Sequence, residues 1–357
     1  MNKTHLFSPI EFRSIVVPNR VVISPMCQYS AVNGNAEEWH MSHYMQMAIS
    51  GAGMFVIEST AISEKGRISY GDLGLYSESN ESQMRRLVNY CKKYSEAPIA
   101  CQLSHAGRKG SVNFPWLGGR HLTKEEGSWD IVSASRIPRY DGGAIPFELS
   151  LKQLGDIRRD FINAAKRAMA AGIDIIELHV AHGYLLHQFF SPISNRRTDE
   201  YGGSFSNRIK FILEVFSDVR SVWPEDKPIG IRLTAQDWLD GGSTINDCVN
   251  LALELKSLGV DYICVSSGGI IPITNLVSGV GFQVKFASEI KKRTGIVTRV
   301  TGEINNYKVA QKVIESGDAD LVAIGRSYLN DPRWVWRAAT ILKKKIHVPK
   351  QYERGYW

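Results

Sequence analysis

The feature that most constrains this chain is a recurrence. Short runs rich in β-branched residues return along nearly its whole length, each followed by a stretch periodic and long enough to be an amphipathic helix. The runs predict strands near Val21–Ser24, Met54–Glu58, Ile99–Leu103, Ile173–Leu178, Ile229–Leu233, Tyr262–Val265, Val297–Val300 and Leu321–Ile324. Helical periodicity lies between them, in segments such as Leu151–Ala171 and Ile209–Val222. A parallel strand pair needs a crossover long enough to hold a helix, so this alternation means parallel sheet. Eight such units in 357 residues predict an α/β fold, a TIM (β/α)8 barrel forming a single domain over residues 1–357. The rival is a doubly wound sheet, which wants a G-x-G-x-x-G turn after its first strand; here that turn runs Ser24-Pro25-Met26-Cys27-Gln28-Tyr29. One stretch, His105 to Ser150, breaks the alternation after the third strand. It is rich in Gly, Trp, Pro and Arg and predicts a lid or capping insertion.

Composition narrows the function classes. The net charge is +7, yet Lys and Arg are scattered and the one tight run, Lys343-Lys344-Lys345, suits a solvated helix face, so no nucleic-acid partner is expected. The start, MNKTHLFSPIEF, lacks a signal-peptide core, and no run approaches the ~18 apolar residues of a membrane span. Five cysteines, odd in number and without a C-x-x-C pair, fit a reducing compartment. These features together predict a cytoplasmic protein with no membrane partner.

In a barrel of this kind the active site forms at the carboxyl ends of the strands, so the residues there carry the function. They are Pro25-Met26-Cys27 with Tyr29, Ser59-Thr60, Gln102 with His105, His179 with His182 and Tyr184, Arg232, Ser266-Ser267-Gly268-Gly269, Gly302, and Gly325-Arg326. Gly302 and Gly325 follow the last two strands, where glycine amides can approach an anion and Arg326 would add charge; alternatively they only make tight turns. Arg232 ends the run IGIRL and should point into the barrel mouth, where a buried cation needs a negative partner. Gln102 offers an amide donor and acceptor suited to the edge of a heterocycle, or is a satisfied core residue.

The segment IELHVAHGYLLHQFFSP, Ile176 to Pro192, crowds imidazoles at the end of the fourth strand. Three chemistries fit. Glu177 shares a strand face with His179 by the two-residue alternation, which with His182 makes a metal site conceivable. The histidines are otherwise structural, or His179 and His182 are paired donors to an oxygen that gains negative charge, with Tyr184 as proton donor. The absence of an H-E-x-x-H or H-x-H pairing and the nearby Arg232 weigh against a metal. His187 falls on the following helix and is read as structural.

The blocks SPMCQYS, QLSHAGR, ELHVAHGYLLHQFFSPISNRRTDEYGGS and VAIGR, in this order, resemble the old yellow enzyme family of flavin oxidoreductases, from about Leu6 onward. The resemblance implies FMN bound non-covalently over the barrel mouth by Ser24, Pro25, Met26, Cys27, Ser59, Gln102, Arg232, Gly302, Gly325 and Arg326. It implies a substrate held by Tyr29, His179, His182 and Tyr184. Cys27 stands where one branch of the family has threonine, and His182 where that branch has asparagine; in both the chain resembles the other, thermophilic-like branch, which includes xenobiotic reductase A. Ser59 departs from the small apolar residue expected beneath the flavin, and the segment Trp116 to Pro146 is longer than in the shortest relatives. Arg232 would then face N1 of the flavin, Gln102 its pyrimidine edge, and Gly325-Arg326 its phosphate, while Cys27 would tune the flavin potential. The implied activity is that of an NADPH dehydrogenase and ene-reductase, with NADH as a possible reductant. Hydride leaves NADPH for FMN, then passes from N5 to the β-carbon of an enone whose oxygen His179 and His182 hold, while Tyr184 protonates the α-carbon. Nitro compounds are further expected substrates. The C-terminal segment 351–357, QYERGYW, is expected to dock, with Arg354 or else Trp357 entering the neighbouring subunit's active site in a homodimer or homotetramer.

Overall fold

The computed structural model describes residues 5–272 and 277–356. Among them eight parallel strands close a barrel in chain order: β1 (Val21–Ile23), β2 (Met54–Ala61), β3 (Ile99–Ser104), β4 (Ile175–Val180), β5 (Ile229–Thr234), β6 (Tyr262–Ser266), β7 (Val297–Val300) and β8 (Leu321–Ile324). Closure is made by β8 on β1, with Val322 opposite Val21 and Ile324 opposite Ile23. Helices α1 (Glu38–Ala48), α2 (Glu78–Lys92), α3 (Leu151–Ala170), α4 (Leu185–Phe190), α5 (Phe205–Val222), α6 (Ile245–Ser257), α7 (Val284–Thr294), α8 (Tyr307–Glu315), α9 (Arg326–Asn330) and α10 (Trp334–Ile341) form the crossovers. Each predicted strand is present, with ends moved by up to three residues.

Local chemistry sets the helix starts. Ser150 and Thr244 each cap a helix through a reciprocal hydrogen-bond pair with the third helical residue, and Ser77 and Ser204 accept from the backbone N–H three residues on. The helices bury one face against the outside of the barrel, with Leu154, Ile157, Phe161 and Ala165 of α3 as the pattern. Inside the barrel a second cluster joins Val22, Met54, Val56, Ala100, Ile175, Tyr262, Cys264 and Leu321. An N-terminal hairpin, Ile10–Phe12 paired with Ile15–Val17, adds Phe12 and Val17 to that cluster and plugs the barrel at the end away from the mouth.

The insertion after β3 carries two short 3-10 turns, Gly107–Lys109 and Pro115–Leu117, and a small sheet of Val132–Ser133 with Phe147–Glu148. The fully buried Arg108 fastens it. Its Nη1 donates to the carbonyls of Ile137 and Pro138 at 3.0 and 3.2 Å, and its Nη2 to that of Ile270 beyond β6 at 2.7 Å. No helix among the described residues is long and apolar enough to cross a membrane.

Candidate active site

Two layers of polar residues fill the mouth end of the barrel. In the lower layer Glu177 on β4 is wholly buried and takes three donors: Gln102 Nε2 at 2.8 Å, Tyr262 Oη at 2.9 Å, and the Arg299 guanidinium. The carboxylate is thereby committed to β3, β6 and β7. Gln102, opposite Glu177 in the β3–β4 register, has its amide orientation fixed by this bond. No group of three His, Cys, Asp or Glu that could hold a metal ion occurs among the described residues.

In the upper layer His179 lies directly across from Arg232 in the β4–β5 register. The ring of His179 is 5.2 Å from that of His182 and 4.7 Å from that of Tyr184, both near perpendicular. Sequence reasoning named these three together, and the fold brings them together. His179 Nδ1 accepts from the Ala181 N–H at 3.2 Å, which leaves its proton on Nε2. His182 Nε2 is 2.6 Å from Ser266 Oγ; with that hydroxyl as donor the proton lies on Nδ1. Burial, reinforced by the charge of Arg232, pushes both histidines well below their ordinary pKa, so each is a neutral ring with one N–H to give. Burial pushes Tyr184 well above its ordinary pKa, so its phenol keeps its proton.

The turn that carries them is clamped. His182 has a left-handed backbone, φ 57°, held by a bond from its N–H to Thr234 Oγ1 at 3.0 Å and by one from Lys109 Nζ to its carbonyl at 2.7 Å. Gly183 follows at φ 76°, and a Cβ there would stand 2.3 Å from the Gly269 carbonyl oxygen. His187 sits on α4, buried, accepting from the Gly183 N–H at 2.8 Å and pairing with Asp237 at 3.0 Å, a structural role.

On the β1 side, Ser24, Pro25 and Met26 line a cavity of about 580 Å³ together with Arg232, Ser266, Gly302, Gly325 and Arg326. The buried Arg232 Nε has no hydrogen-bond partner among the described residues. Gln283 Oε1, in the wall of the same cavity, is also buried and unpartnered. The Arg326 side chain is exposed and reaches Glu303 at 3.3 Å. Cys27 has the Ser59 backbone N–H on its sulfur, and burial followed by the charge of Glu58 raises its pKa, so the thiol stays protonated. Ser59, opposite Gln102, lies on β2 where the register shifts between Ile57 and Ser59. Tyr29, at φ 52°, meets Phe114 and Trp116 of the insertion at ring distances of 6.4 and 6.0 Å. The insertion thus walls one side of the mouth. Arg354 lies apart from this site, on the 3-10 turn Lys350–Gly355, whose Tyr352 and neighbouring Tyr356 pack edge-on against Trp336 of α10 at 5.8 and 6.1 Å. Trp357 lies outside the described residues.

Two contributors were missed. Lys109 directly follows the block QLSHAGR and was not read at all, for nothing in its spacing aims it at the site. Glu58 was taken for a strand end. Buried, with its pKa pushed up to about 8 by that burial, it accepts from the Gln28 N–H at 2.9 Å and Tyr44 Oη at 3.0 Å, so it holds the turn bearing Cys27 and Tyr29.

Residues 5–345 match the family model of the NADH:flavin oxidoreductase / NADH oxidase family. The chain belongs to that family, and it is an oxidoreductase of the old yellow enzyme type. It is 39% identical over 356 residues to an NADPH dehydrogenase of Geobacillus sp. (strain WCH70), covering 99% of both chains. It is 38% identical over 353 residues to an NADPH dehydrogenase of Bacillus subtilis (strain 168), covering 98% of this chain and 99% of the relative. Among solved structures it is similar to morphinone reductase in complex with tetrahydroNAD, with a TM-score of 0.77 and 26% identity over 99% of this chain and 96% of that one. The mouth fits the family's FMN. A cavity of this volume, a guanidinium whose buried Nε lacks a partner, and an amide locked at the rim are what a flavin ring and its tail would complete.

Proposed function

We propose that the protein is an NADPH-dependent ene-reductase that reduces the C=C bond of α,β-unsaturated carbonyl compounds, and electron-poor nitro compounds in the same cavity. What supports this reading is one arrangement: two neutral imidazoles and a protonated phenol, ring to ring, at the same mouth as the unpartnered Arg232. When bound, FMN supplies hydride exchange between a nicotinamide and the substrate; the likeness to NADPH dehydrogenases favours NADPH as donor, with NADH as an alternative. Arg232 would balance negative charge on the flavin's pyrimidine side, Gln102 would meet its edge, Ser59 would lie beneath it, and Ser24, Pro25, Met26, Gly302, Gly325 and Arg326 would hold the rest without a covalent link. Cys27 presents its S–H to the ring system and sets its potential. His179 and His182 hold the substrate oxygen by one N–H each, neutral donors that strengthen as charge develops there. Tyr29 packs on the substrate, and Tyr184 gives its proton to the α-carbon.

The direct test is anaerobic. The purified protein should be yellow, bleach with NADPH, and recover its colour with one equivalent of 2-cyclohexenone as cyclohexanone forms. Acid precipitation should release FMN into the supernatant. A colourless protein, FAD in the supernatant, or flavin retained in the pellet would overturn the reading.

The C-terminal segment belongs to the proposal as well. Arg354 is exposed on a turn anchored by Trp336, so the anchor presents it outward instead of toward its own barrel mouth. We infer that it completes the neighbouring subunit's substrate site in a cytoplasmic homodimer or homotetramer. Truncation after Lys350 should raise the KM for 2-cyclohexenone by about tenfold, the effect of one lost charged contact, while FMN stays bound. Wild-type kinetics in the truncated protein, or a monomer in sedimentation of the intact one, would end the idea.

A further inference from the structure

Lys109 is a cation with an unusual set of partners. It closes the 3-10 turn after β3, its Nζ donates to the His182 carbonyl at 2.7 Å, and the same Nζ stands 4.6 Å from the centroid of the Tyr184 ring. Its partners among the described residues are a carbonyl and a ring face. Lys109 is partly buried, and an ammonium drawn out of water normally takes a carboxylate, because the desolvation cost is otherwise hard to recover. The placement is therefore costly, and it sets the charge against the Tyr184 ring and the His182 carbonyl.

We propose that Lys109 is the positioning residue of proton delivery: it fixes the His182–Tyr184 turn through the carbonyl and stabilises the phenolate left when Tyr184 gives up its proton. This rests on the reading of Tyr184 as the proton donor. In that step the Tyr184 O–H bond breaks, a C–H bond forms at the substrate α-carbon as hydride arrives at the β-carbon, and solvent later reprotonates the phenolate. A cation against the ring favours the anion by Coulomb attraction that is strong in a site shielded from water. Tyr184 needs such help, since burial alone makes it a poorer acid.

The charged and titratable neighbours define the pH dependence. Burial is the largest cause that pushes Lys109 down to about 7, and Arg139 from the insertion and Arg108 on the same turn, both of like sign, add to it; the nearby Cys27 thiol is held protonated and offers no charge against them. His179 and His182 face it from β4 and its turn and are held neutral. Lys109 is therefore charged below about pH 7 and neutral above, and its assistance is present at low pH and lost as pH rises through 7.

Stopped-flow reoxidation of NADPH-reduced holoenzyme by 2-cyclohexenone tests this. The wild-type rate should fall about tenfold from pH 6 to pH 8.5. Lys109→Met should show the low rate at both, and Lys109→Arg the high rate at both, since a guanidinium stays charged. In a Tyr184→Phe background the pH step should be absent, and Lys109→Met should slow the reaction far less than it does beside Tyr184. A pH step that survives Lys109→Met, or equal slowing by Lys109→Met with and without Tyr184, would overturn the proposal. If Tyr184→Phe alone equals wild type, the donor reading has failed; if it is slow while Lys109→Met is not, the fault lies with Lys109.

Discussion

Tyr184→Phe is expected to slow reoxidation of the reduced enzyme by an enone ~10²-fold or more, the usual contribution of a placed general acid, and to leave reduction by NADPH nearly unchanged. The asymmetry follows from the geometry. The ring sits at the start of α4, 4.7 Å from His179 and under Lys109, so the phenylalanine ring can fill the same space with the same packing. Only the hydroxyl is lost, and only the half-reaction that adds a proton to carbon requires it. Burial keeps the phenol protonated across the working range, so the proton is in place whenever the substrate arrives. Stopped-flow traces of the two halves decide it. Equal slowing of both would mean that Tyr184 shapes the cavity and does not deliver the proton.

The sequence exposed the fold through its strands, because β-branched runs flanked by helical periodicity leave few architectures open. Its errors lie where tertiary contacts set the ends. β2 was expected to stop at Glu58 but runs to Ala61, since the register shift at Ile57 and Ser59 lets pairing with β3 resume, with Ser59, Thr60 and Ala61 opposite Gln102, Leu103 and Ser104. β4 runs to Val180, which puts His179 on the strand and leaves His182 on the turn. The N-terminal hairpin was not anticipated, for its strands of three residues are too short to show alternation and form because Phe12 and Val17 close the barrel floor.

For the site, a list of strand-end residues was enough to name His179, His182, Tyr184 and Arg232, because a barrel sends all strand ends to one mouth. Lys109 and Glu58 escaped for a common reason. Each acts by holding a turn, Lys109 the left-handed His182 and Glu58 the left-handed Tyr29, and such support is defined by where two distant segments cross. Arg326 shows the converse: its position after β8 was legible, while its contact with Glu303 depends on the backbone path after β7.

Glu177→Gln is expected to destabilise the protein by about 3–5 kcal/mol, the cost of breaking a buried ion pair from one side, and to lower its Tm by something on the order of 10 °C. Sequence alternation put Glu177 beside His179 and so raised a metal site. In the fold it lies one layer deeper, where its oxygens serve Gln102, Tyr262 and Arg299. Arg299 is fully buried, and among the described residues Glu177 is the carboxylate that neutralises it, beside the Tyr262 ring at 5.1 Å. An amide at position 177 would leave that charge unbalanced and set N–H against N–H toward one of its three donors. Gln102 would lose its anchor, so weaker FMN retention should accompany the fall in Tm. The double variant Glu177→Gln with Arg299→Met should recover much of the loss, because it buries no charge at all; the cycle separates the pair from simple repacking. Thermal melts of the holoenzyme, with and without prior EDTA dialysis, complete the test. A drop in wild-type Tm after chelation would restore the metal reading, and a Tm for Glu177→Gln within a degree or so of wild type would show that Arg299 is neutralised elsewhere.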